Sequence, residues 1–297
     1  MVTLQDLEAF VALAETGSIG RAARRLNLTQ PAVTRRIQNF EISLGGPALL
    51  DRSIKPAALT PAGRQVLERC RNVLRTVAEL EVTDAAAAPA GELRSGIAHG
   101  LGQIVLGSPL DDFRRRFPKV MPRITTDWTS RMIEDVSRGA LDCAIGFVAV
   151  SRALPRGVDG FTLGSEEVIV VGTRSAHGRR RRRRLVDLAA EPWVLHPMGC
   201  GIRDALQRAF DRAGIPLQVA AEALEEDLLL SLVGRGVGLG ILPRRQFEAS
   251  PLRSRLAPVM LSDFRLEFGI DLLRRGVARH LTEAVDWLGA RVANRLG

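Results

Sequence analysis

Apolar residues along this chain repeat in two rhythms. As far as about residue 82 they recur every three or four positions, the period of helices with one buried face. Leu4, Leu7, Val11 and Ala14, with Phe10 beside them, predict a helix over Val2–Glu15. Ser18, after Gly17, is placed to cap a second helix running to Leu26, and Ala22 and Ala23 keep its crossing surface small. Asn27 and Leu28 form a tight turn. Thr29 caps a third helix, with Pro31 in the first turn, where a missing N–H costs nothing, and Val33, Ile37, Phe40 and Leu44 as its apolar stripe. Gly45-Gly46-Pro47 breaks that helix, and residues 48–59 read as a short wing carrying Asp51, Arg52 and Lys55. Thr60-Pro61 opens a last helix in which Val66, Cys70, Val73, Val77 and Leu80 form a heptad seam. Such a seam suggests pairing with a second copy; the alternative is packing onto the protein's own body. Ala85-Ala86-Ala87-Ala88-Pro89-Ala90-Gly91 is a low-complexity hinge.

Beyond residue 91 short apolar runs alternate with helical stretches. A strand ends near Ala98, and Leu106, Leu110, Phe113 and Phe117 predict a helix stopped by Pro118 and Pro122. A strand ends near Trp128, a helix starts at about Thr129, and Leu141–Phe147 is a further strand. The theme repeats with strands at Glu167–Gly172, Trp193–Leu195 and Leu217–Glu222, and helices through Ile202, Leu206 and Phe210 and through Leu228, Leu229, Leu232 and Val233. Ile241-Leu242-Pro243 follows. A strand at Phe264–Leu273 leads to a terminal helix with Leu281, Val285, Leu288 and Val292. This order predicts an α/β fold built from parallel βαβ units. The expected organisation is a helical part with a wing over 1–59, a linker and pairing helix over 60–90, and two lobes over 91–297. Lobe I takes about 91–163 and 266–297 and lobe II about 164–265, with crossovers near Gly146–Arg152 and Pro258–Leu266.

Charge sharpens this picture. The net charge is +9, which favours a polyanionic partner, but six of that excess sit in Arg179–Arg184, a run that reads as a solvated loop or as non-specific attraction to DNA. The local surplus is more telling: from Ser18 to Arg75 there are eleven Arg or Lys against Glu41, Asp51 and Glu68. Cys70, Cys143 and Cys200 are too few and too scattered for a disulfide framework or a metal site, so no metal or cofactor is expected. There is no signal-peptide pattern at the N-terminus and no apolar run of about 18 residues, so the expected location is the cytoplasm.

Candidate chemistry falls in two places. Gln30, Pro31, Thr34, Arg35 and Gln38 lie opposite the apolar stripe of the third helix, and Ser18 and Arg21 stand at the start of the second. An amide, a hydroxyl and a guanidinium on one face suit base edges and phosphates when a helix lies in the major groove of double-stranded DNA. The plainer alternative is a helical hairpin with a solvated basic face. In the α/β part, ligands bind where strands end and helices begin, and helix starts favour anions. Three loops qualify: His99-Gly100-Leu101-Gly102, Thr129-Ser130-Arg131 and Met198-Gly199-Cys200-Gly201-Ile202. Each could equally be an ordinary helix start. An enzyme finds no support, because there is no Gly-x-Ser-x-Gly elbow and no phosphate loop, and Gly236-Val237-Gly238-Leu239-Gly240 follows a helix rather than a strand. A plain solute-binding protein would not need residues 1–88.

Residues 1–88 resemble the N-terminus of LysR-type transcriptional regulators. The resemblance is carried by Leu4, Leu7, Phe10, Glu15-Thr16-Gly17-Ser18, Ala22-Ala23, Leu26 and Leu28-Thr29-Gln30-Pro31-Ala32-Val33-Thr34-Arg35. It continues through Ile37, Glu41, Leu44-Gly45, Asp51-Arg52-Ser53 and Leu59-Thr60-Pro61-Ala62-Gly63. It implies a winged helix-turn-helix, with Arg52 of the wing on the DNA backbone, followed by a two-lobed effector domain similar to solute-binding proteins. A homodimer, and a homotetramer through the lobes, would read a pseudo-palindromic operator. A small-molecule effector would lie between the lobes near Gly100, Thr129 and Ile202, with His99, Ser130, Phe147 and Cys200 behind them. Ala48-Leu49-Leu50 departs from the family, which usually has an aromatic after a Pro-Leu pair. Peroxide-sensing members pair a cysteine near this loop with a second one further on; none follows Cys200, which argues against a redox switch.

Overall fold

The computed structural model describes residues 1–51, 53, 58–81, 88–105, 107–149, 153–177, 182–277 and 279–296. It divides into two compact units, Met1–Ala87 with Ala278–His280, and Ala88–Val277 with Leu281–Gly297.

The first unit holds α1 (Leu4–Thr16), α2 (Ile19–Arg25), α3 (Gln30–Leu44), a two-stranded antiparallel ribbon of β1 (Leu50–Asp51) and β2 (Ala58–Leu59), and α4 (Pro61–Glu81). Thr3 and Asp6 cap α1 reciprocally, a capping box that satisfies two of the free N–H groups at the helix start. Gly17 ends α1 in the left-handed conformation. Asn27 turns the chain with φ of 52°, a conformation asparagine tolerates better than most residues. Thr29 accepts from the Ala32 N–H at the start of α3. The core of this unit gathers Leu7, Phe10, Leu13, Ala22, Ala23, Val33, Ile37 and Phe40, with Leu49 and Leu50 from the base of the wing.

Three apolar stripes run differently from the periodicity. Leu4 and Leu44, both assigned to buried faces, are each 42% exposed, because they stand at the outer ends of α1 and α3. On α4, Cys70 and Leu67 are buried in the core of the same unit and Val66 packs beside them. The seam predicted over Val66–Leu80 is therefore split: its first half faces the protein's own body, and Val73 stays exposed.

The second unit is α/β. Its elements are β3 (Gly91–Ala98), α5 (Gly102–Val105), α6 (Ser108–Arg116), β4 (Val120–Asp127), α7 (Thr129–Arg138), β5 (Cys143–Ala149), β6 (Asp159–Thr173) and α8 (Arg174–His177). They continue as β7 (Pro192–Leu195), α9 (Gly201–Ala213), β8 (Gln218–Glu222), α10 (Glu226–Gly234), β9 (Gly240–Pro243), α11 (Arg244–Ala249), β10 (Leu256–Val259), β11 (Leu266–Arg274) and α12 (Arg279–Leu296). A seven-stranded sheet has the order β10-β6-β11-β5-β3-β4, with β9 paired to β6. β3 is parallel to β4 and β5, as βαβ crossovers require, while β11 runs antiparallel between β5 and β6. β7 and β8 form a separate parallel pair.

Three features of this unit depart from the pattern. The helix expected through Leu106, Leu110, Phe113 and Phe117 is shorter: α6 starts at Ser108 with Pro109 in its first turn, carries Leu110 and Phe113 and ends before Phe117, while Leu106 lies outside the described residues. β6 starts eight residues before Glu167, because its first half pairs with β11. On α10 the buried side chains are Leu229, Leu230 and Val233, while Leu228 is 52% exposed. The Arg179–Arg184 run lies outside the described residues as far as Arg181. Arg183 is tied to the Glu191 carboxylate at 2.9 Å, and the Arg184 N–H donates to Asp187.

The base of the wing is closed by a threonine. The Thr60 Oγ1 donates to the Ala48 carbonyl oxygen at 2.8 Å and accepts from the Gly63 N–H at 2.9 Å. A methyl group at Gly63 would collide with the Leu49 carbonyl oxygen, and backbone cannot swing away as a flexible side chain can. Gly63→Ala is therefore expected to destabilise the first unit by about 2 kcal/mol, read as a shift in its denaturant midpoint. An unchanged midpoint would contradict this packing.

Candidate functional site

In the first unit, α3 is seated by its buried side. Val33, Ile37 and Phe40 face the core, and the Phe40 ring lies 5.5 Å from that of Phe10 on α1. Ala22 and Ala23 are almost fully buried, so α2 approaches closely. The opposite side of α3 is polar: Gln30, Pro31, Arg35 and Gln38 are exposed and Thr34 is half-buried. The Thr34 hydroxyl donates back to the Gln30 carbonyl oxygen at 2.9 Å. The Gln30 amide lies over Gly20 of α2, where a side chain would meet both it and the Ser18 hydroxyl. Ser18 stands at the N-cap of α2 but makes no side-chain capping bond, and its carbonyl oxygen accepts from Thr16.

The arginines here divide into two sets. Arg25 and Arg71 both bind the Glu15 carboxylate, at 2.6 and 3.2 Å, and Arg36 donates to the Gln5 amide oxygen at 2.9 Å. Arg21, Arg24, Arg35 and Arg69, all exposed, have no carboxylate partner among the described residues, and of these Arg35 lies on the outer face of α3. Their charges are left to an external anion. Arg52 lies outside the described residues. Beside it, the Asp51 carboxylate accepts from both the Ser53 N–H and hydroxyl.

In the second unit, strand ends and helix starts converge on a cavity of about 120 Å³. His99 and Gly100 follow β3, Thr129 begins α7, Phe147 comes from β5, and Cys200 and Ile202 come from the start of α9. Six of the seven expected effector residues thus line one cavity. Ser130 does not line it; its hydroxyl donates to the Gly199 carbonyl oxygen at 3.2 Å and ties the α7 start to the loop before α9. Thr129 is buried and its hydroxyl accepts from the Phe147 N–H at 3.1 Å. Gly146 makes this possible, since a side chain there would meet Thr129 at 2.7 Å. Gly100 adopts φ of 86° under the Gln246 amide.

The sequence reading missed Trp128, His196, Glu225, Glu226 and Gln246, all of which line the cavity. Trp128 caps α7 and its ring lies between two imidazoles, 4.6 Å from His99 and 5.3 Å from His196. His196 immediately follows β7, and Glu225 and Glu226 stand where α10 begins after β8. The strand-end rule that selected the other loops would have found both, had it been applied to every strand. Arg203 of α9 fixes this side of the cavity: it donates to the His196 carbonyl oxygen at 2.8 Å and pairs with Glu222 at 2.6 Å. Burial lowers the His196 pKa, and the Nδ1 proton goes to the Ala223 carbonyl oxygen at 2.9 Å, since a carbonyl can only accept. Burial, reinforced by Asp227, pushes the Glu226 carboxyl up to about 7.

Cys200 is buried at the cavity wall, and burial raises its thiol pKa. Burial also pushes Cys70 up to about 11 and Cys143 up to about 12. Among the described residues no cluster of His, Cys, Asp or Glu is arranged to hold a metal ion, and no helix is long and apolar enough to cross a membrane.

With this geometry in place, likeness to known proteins carries weight. Residues 4–64 match the family model described as bacterial regulatory helix-turn-helix protein, lysR family, and residues 86–297 match the LysR substrate binding domain. The chain is 29% identical over 252 residues to the HTH-type transcriptional regulator YofA of Bacillus subtilis (strain 168), covering 84% of this chain and 85% of YofA. It is 30% identical over 273 residues to the uncharacterized HTH-type transcriptional regulator YnfL of Escherichia coli (strain K12), covering 88% of this chain and 89% of YnfL. Among solved structures, full-length CbnR complexed with its target DNA is 25% identical, with a TM-score of 0.60 over 96% of this chain and 98% of that chain.

Two outcomes follow from the site geometry. Thr129→Val keeps the shape but leaves the Phe147 N–H without its acceptor, and should lower stability by about 1–3 kcal/mol; an unchanged unfolding midpoint would mean this bond carries nothing. Iodoacetamide at pH 8 should label Cys70 and Cys143 in the folded protein more slowly than in the denatured chain by about a hundredfold or more, and Cys200 more slowly too, because their thiolate fractions are suppressed. Rapid labelling of Cys200 in the folded state would contradict its burial.

Proposed function

Since the chain belongs to the LysR family of helix-turn-helix transcriptional regulators, we propose that α3 is the helix it lays in the major groove. In this reading Gln30, Pro31, Thr34, Arg35 and Gln38 face the bases, Ser18 and Arg21 grip phosphates, and Arg52 of the wing rests on the DNA backbone. The observation that carries it is that Arg35, exposed and without a carboxylate partner among the described residues, shares with an amide and a hydroxyl the face of α3 turned away from the core, with exposed Arg21 at the head of α2.

We further propose that the protein acts in the cytoplasm as a homodimer paired through residues 60–82 of the 60–90 segment, assembled into a tetramer through the effector region, and reads a pseudo-palindromic operator. Exposed Val73 supports pairing through the outer side of α4, while Cys70 belongs to the core beneath. The effector is a small molecule held in the cavity lined by His99, Gly100, Thr129, Phe147, Cys200 and Ile202. This cavity separates the two lobes, one of about 91–163 with 266–297 and the other of about 164–265. Binding there biases how lobes and protomers are oriented, and so the spacing or bend of bound DNA. The protein's role is binding rather than catalysis.

Arg35→Ala is expected to weaken operator binding about tenfold or more and to flatten its salt dependence by roughly one charge, with circular dichroism and oligomeric state unchanged. Arg25→Ala, whose guanidinium is held by Glu15, should have the smaller effect on binding. Equal affinity of Arg35→Ala and wild type, or a larger loss from Arg25→Ala, would refute the assigned face.

A further inference from the structure

The cavity is acidic in a strongly basic protein. The chain carries 42 Lys and Arg against 33 Asp and Glu, yet neither Lys nor Arg is among the described residues lining the cavity, whereas Glu225 and Glu226 are. The arginines on the first turns of the flanking helices are committed elsewhere: Arg203 of α9 to Glu222 and the His196 carbonyl oxygen, and Arg131 of α7 to Asp127. Neither Glu225 nor Glu226 has a cationic partner among the described residues.

The helix starts around the cavity favour an anion in principle, but acidic side chains of the chain itself stand beside each of them. At α7 the Asp127 carboxylate accepts from the Trp128 N–H at 2.7 Å. Asp204 stands in the first turn of α9, and Glu226 and Asp227 in that of α10. The remaining polar groups are mixed, since the Gln246 amide and the Thr129 hydroxyl can donate as well as accept. Neutral His196 spends its Nδ1 proton on Ala223, which leaves Nε2 with a lone pair. Trp128, flanked by His99 and His196, offers a flat aromatic wall with a negative face.

We infer that the cavity takes a small planar cation bearing N–H donors, an arylamidinium or ring-borne ammonium, stacked on the Trp128 wall with its donors on Glu226 and Glu225, rather than the carboxylate anion that the helix starts alone would suggest. The inference rests on the reading of this cavity as the effector site. Because the Glu226 carboxyl lies near neutrality when the cavity is empty, a bound cation also holds it in the ionised form.

Three probes of matched shape separate the possibilities: benzamidine (cation), benzamide (neutral) and benzoate (anion). They are titrated into the full-length protein by calorimetry at pH 8. Benzamidine should bind about tenfold more tightly than benzoate, with benzamide between them. Glu226→Gln should bring benzamidine and benzoate to within about threefold of each other, and Trp128→Leu should weaken all three. Tighter binding of benzoate, still lost in Trp128→Leu, would overturn the charge class while leaving the cavity as the binding site. An unchanged benzamidine preference in Glu226→Gln would equally overturn it. No binding by any probe, or binding indifferent to Trp128→Leu, would remove the effector reading of the cavity and this inference with it.

Discussion

The contact between Phe10 and Phe40 fixes which side of α3 meets the solvent. α3 is short and amphipathic, so its orientation is decided by where its apolar side is anchored. The Phe40 ring against Phe10, with Val33 and Ile37 beside it, buries one face on α1. Ala22 and Ala23 contribute by being small, which lets α2 cross close by. The polar face is a consequence of that anchoring. Charge is arranged in the same way: Glu15 occupies Arg25 and Arg71, while Arg21 at the head of α2 and Arg35 on the outer face of α3 have no carboxylate partner among the described residues. A uniformly basic surface attracts any polyanion; cations held in fixed positions beside polar side chains set the register in which a helix meets DNA.

The second unit applies a comparable constraint at backbone level. Gly146 allows Thr129 to press onto β5, and the Thr129 hydroxyl then holds the Phe147 N–H. Ser130 fastens the same helix start to Gly199. Strand end, helix start and neighbouring loop are thereby held together around one cavity. Two of the expected effector residues, Thr129 and Ser130, thus act through internal hydrogen bonds, while the open wall is made by Trp128, the two histidines and the glutamates of α10. The arginine bias of the whole chain does not extend to this cavity.

Much of this was legible in the sequence, and what was not has identifiable causes. The helix-turn-helix followed from a period of three to four, from Thr29 and Pro31 at a helix start and from small residues at a crossing. The order of strands and helices after residue 91 followed from alternation. Periodicity says which residues share a face but not where a helix protrudes beyond its neighbours, hence the exposure of Leu4 and Leu44. It also cannot tell a seam that faces a second copy from one that faces home, and Cys70 faces home. β10 and α11 were not anticipated, since β10 has four residues and α11 six, too few for a period to show. The first half of β6 owes its existence to pairing with β11, more than a hundred residues away in sequence. The cavity's other members escaped because the strand-end rule reached only three loops, whereas His196 follows β7, Glu225 and Glu226 follow β8, and Trp128 reads in the sequence as the end of a strand rather than as part of the loop after it.

The central claim is that a symmetric assembly of this chain reads a particular DNA sequence through α3. The most direct measurement is selection of bound sequences from random duplex DNA by the purified protein at two salt concentrations. The account predicts enrichment of one interrupted palindrome whose half-sites persist at the higher salt, because base-edge contacts survive the loss of counterion release that weakens phosphate contacts. Binding that is blind to sequence and disappears with salt would contradict it, and would mean that the basic charge of the first unit acts without readout.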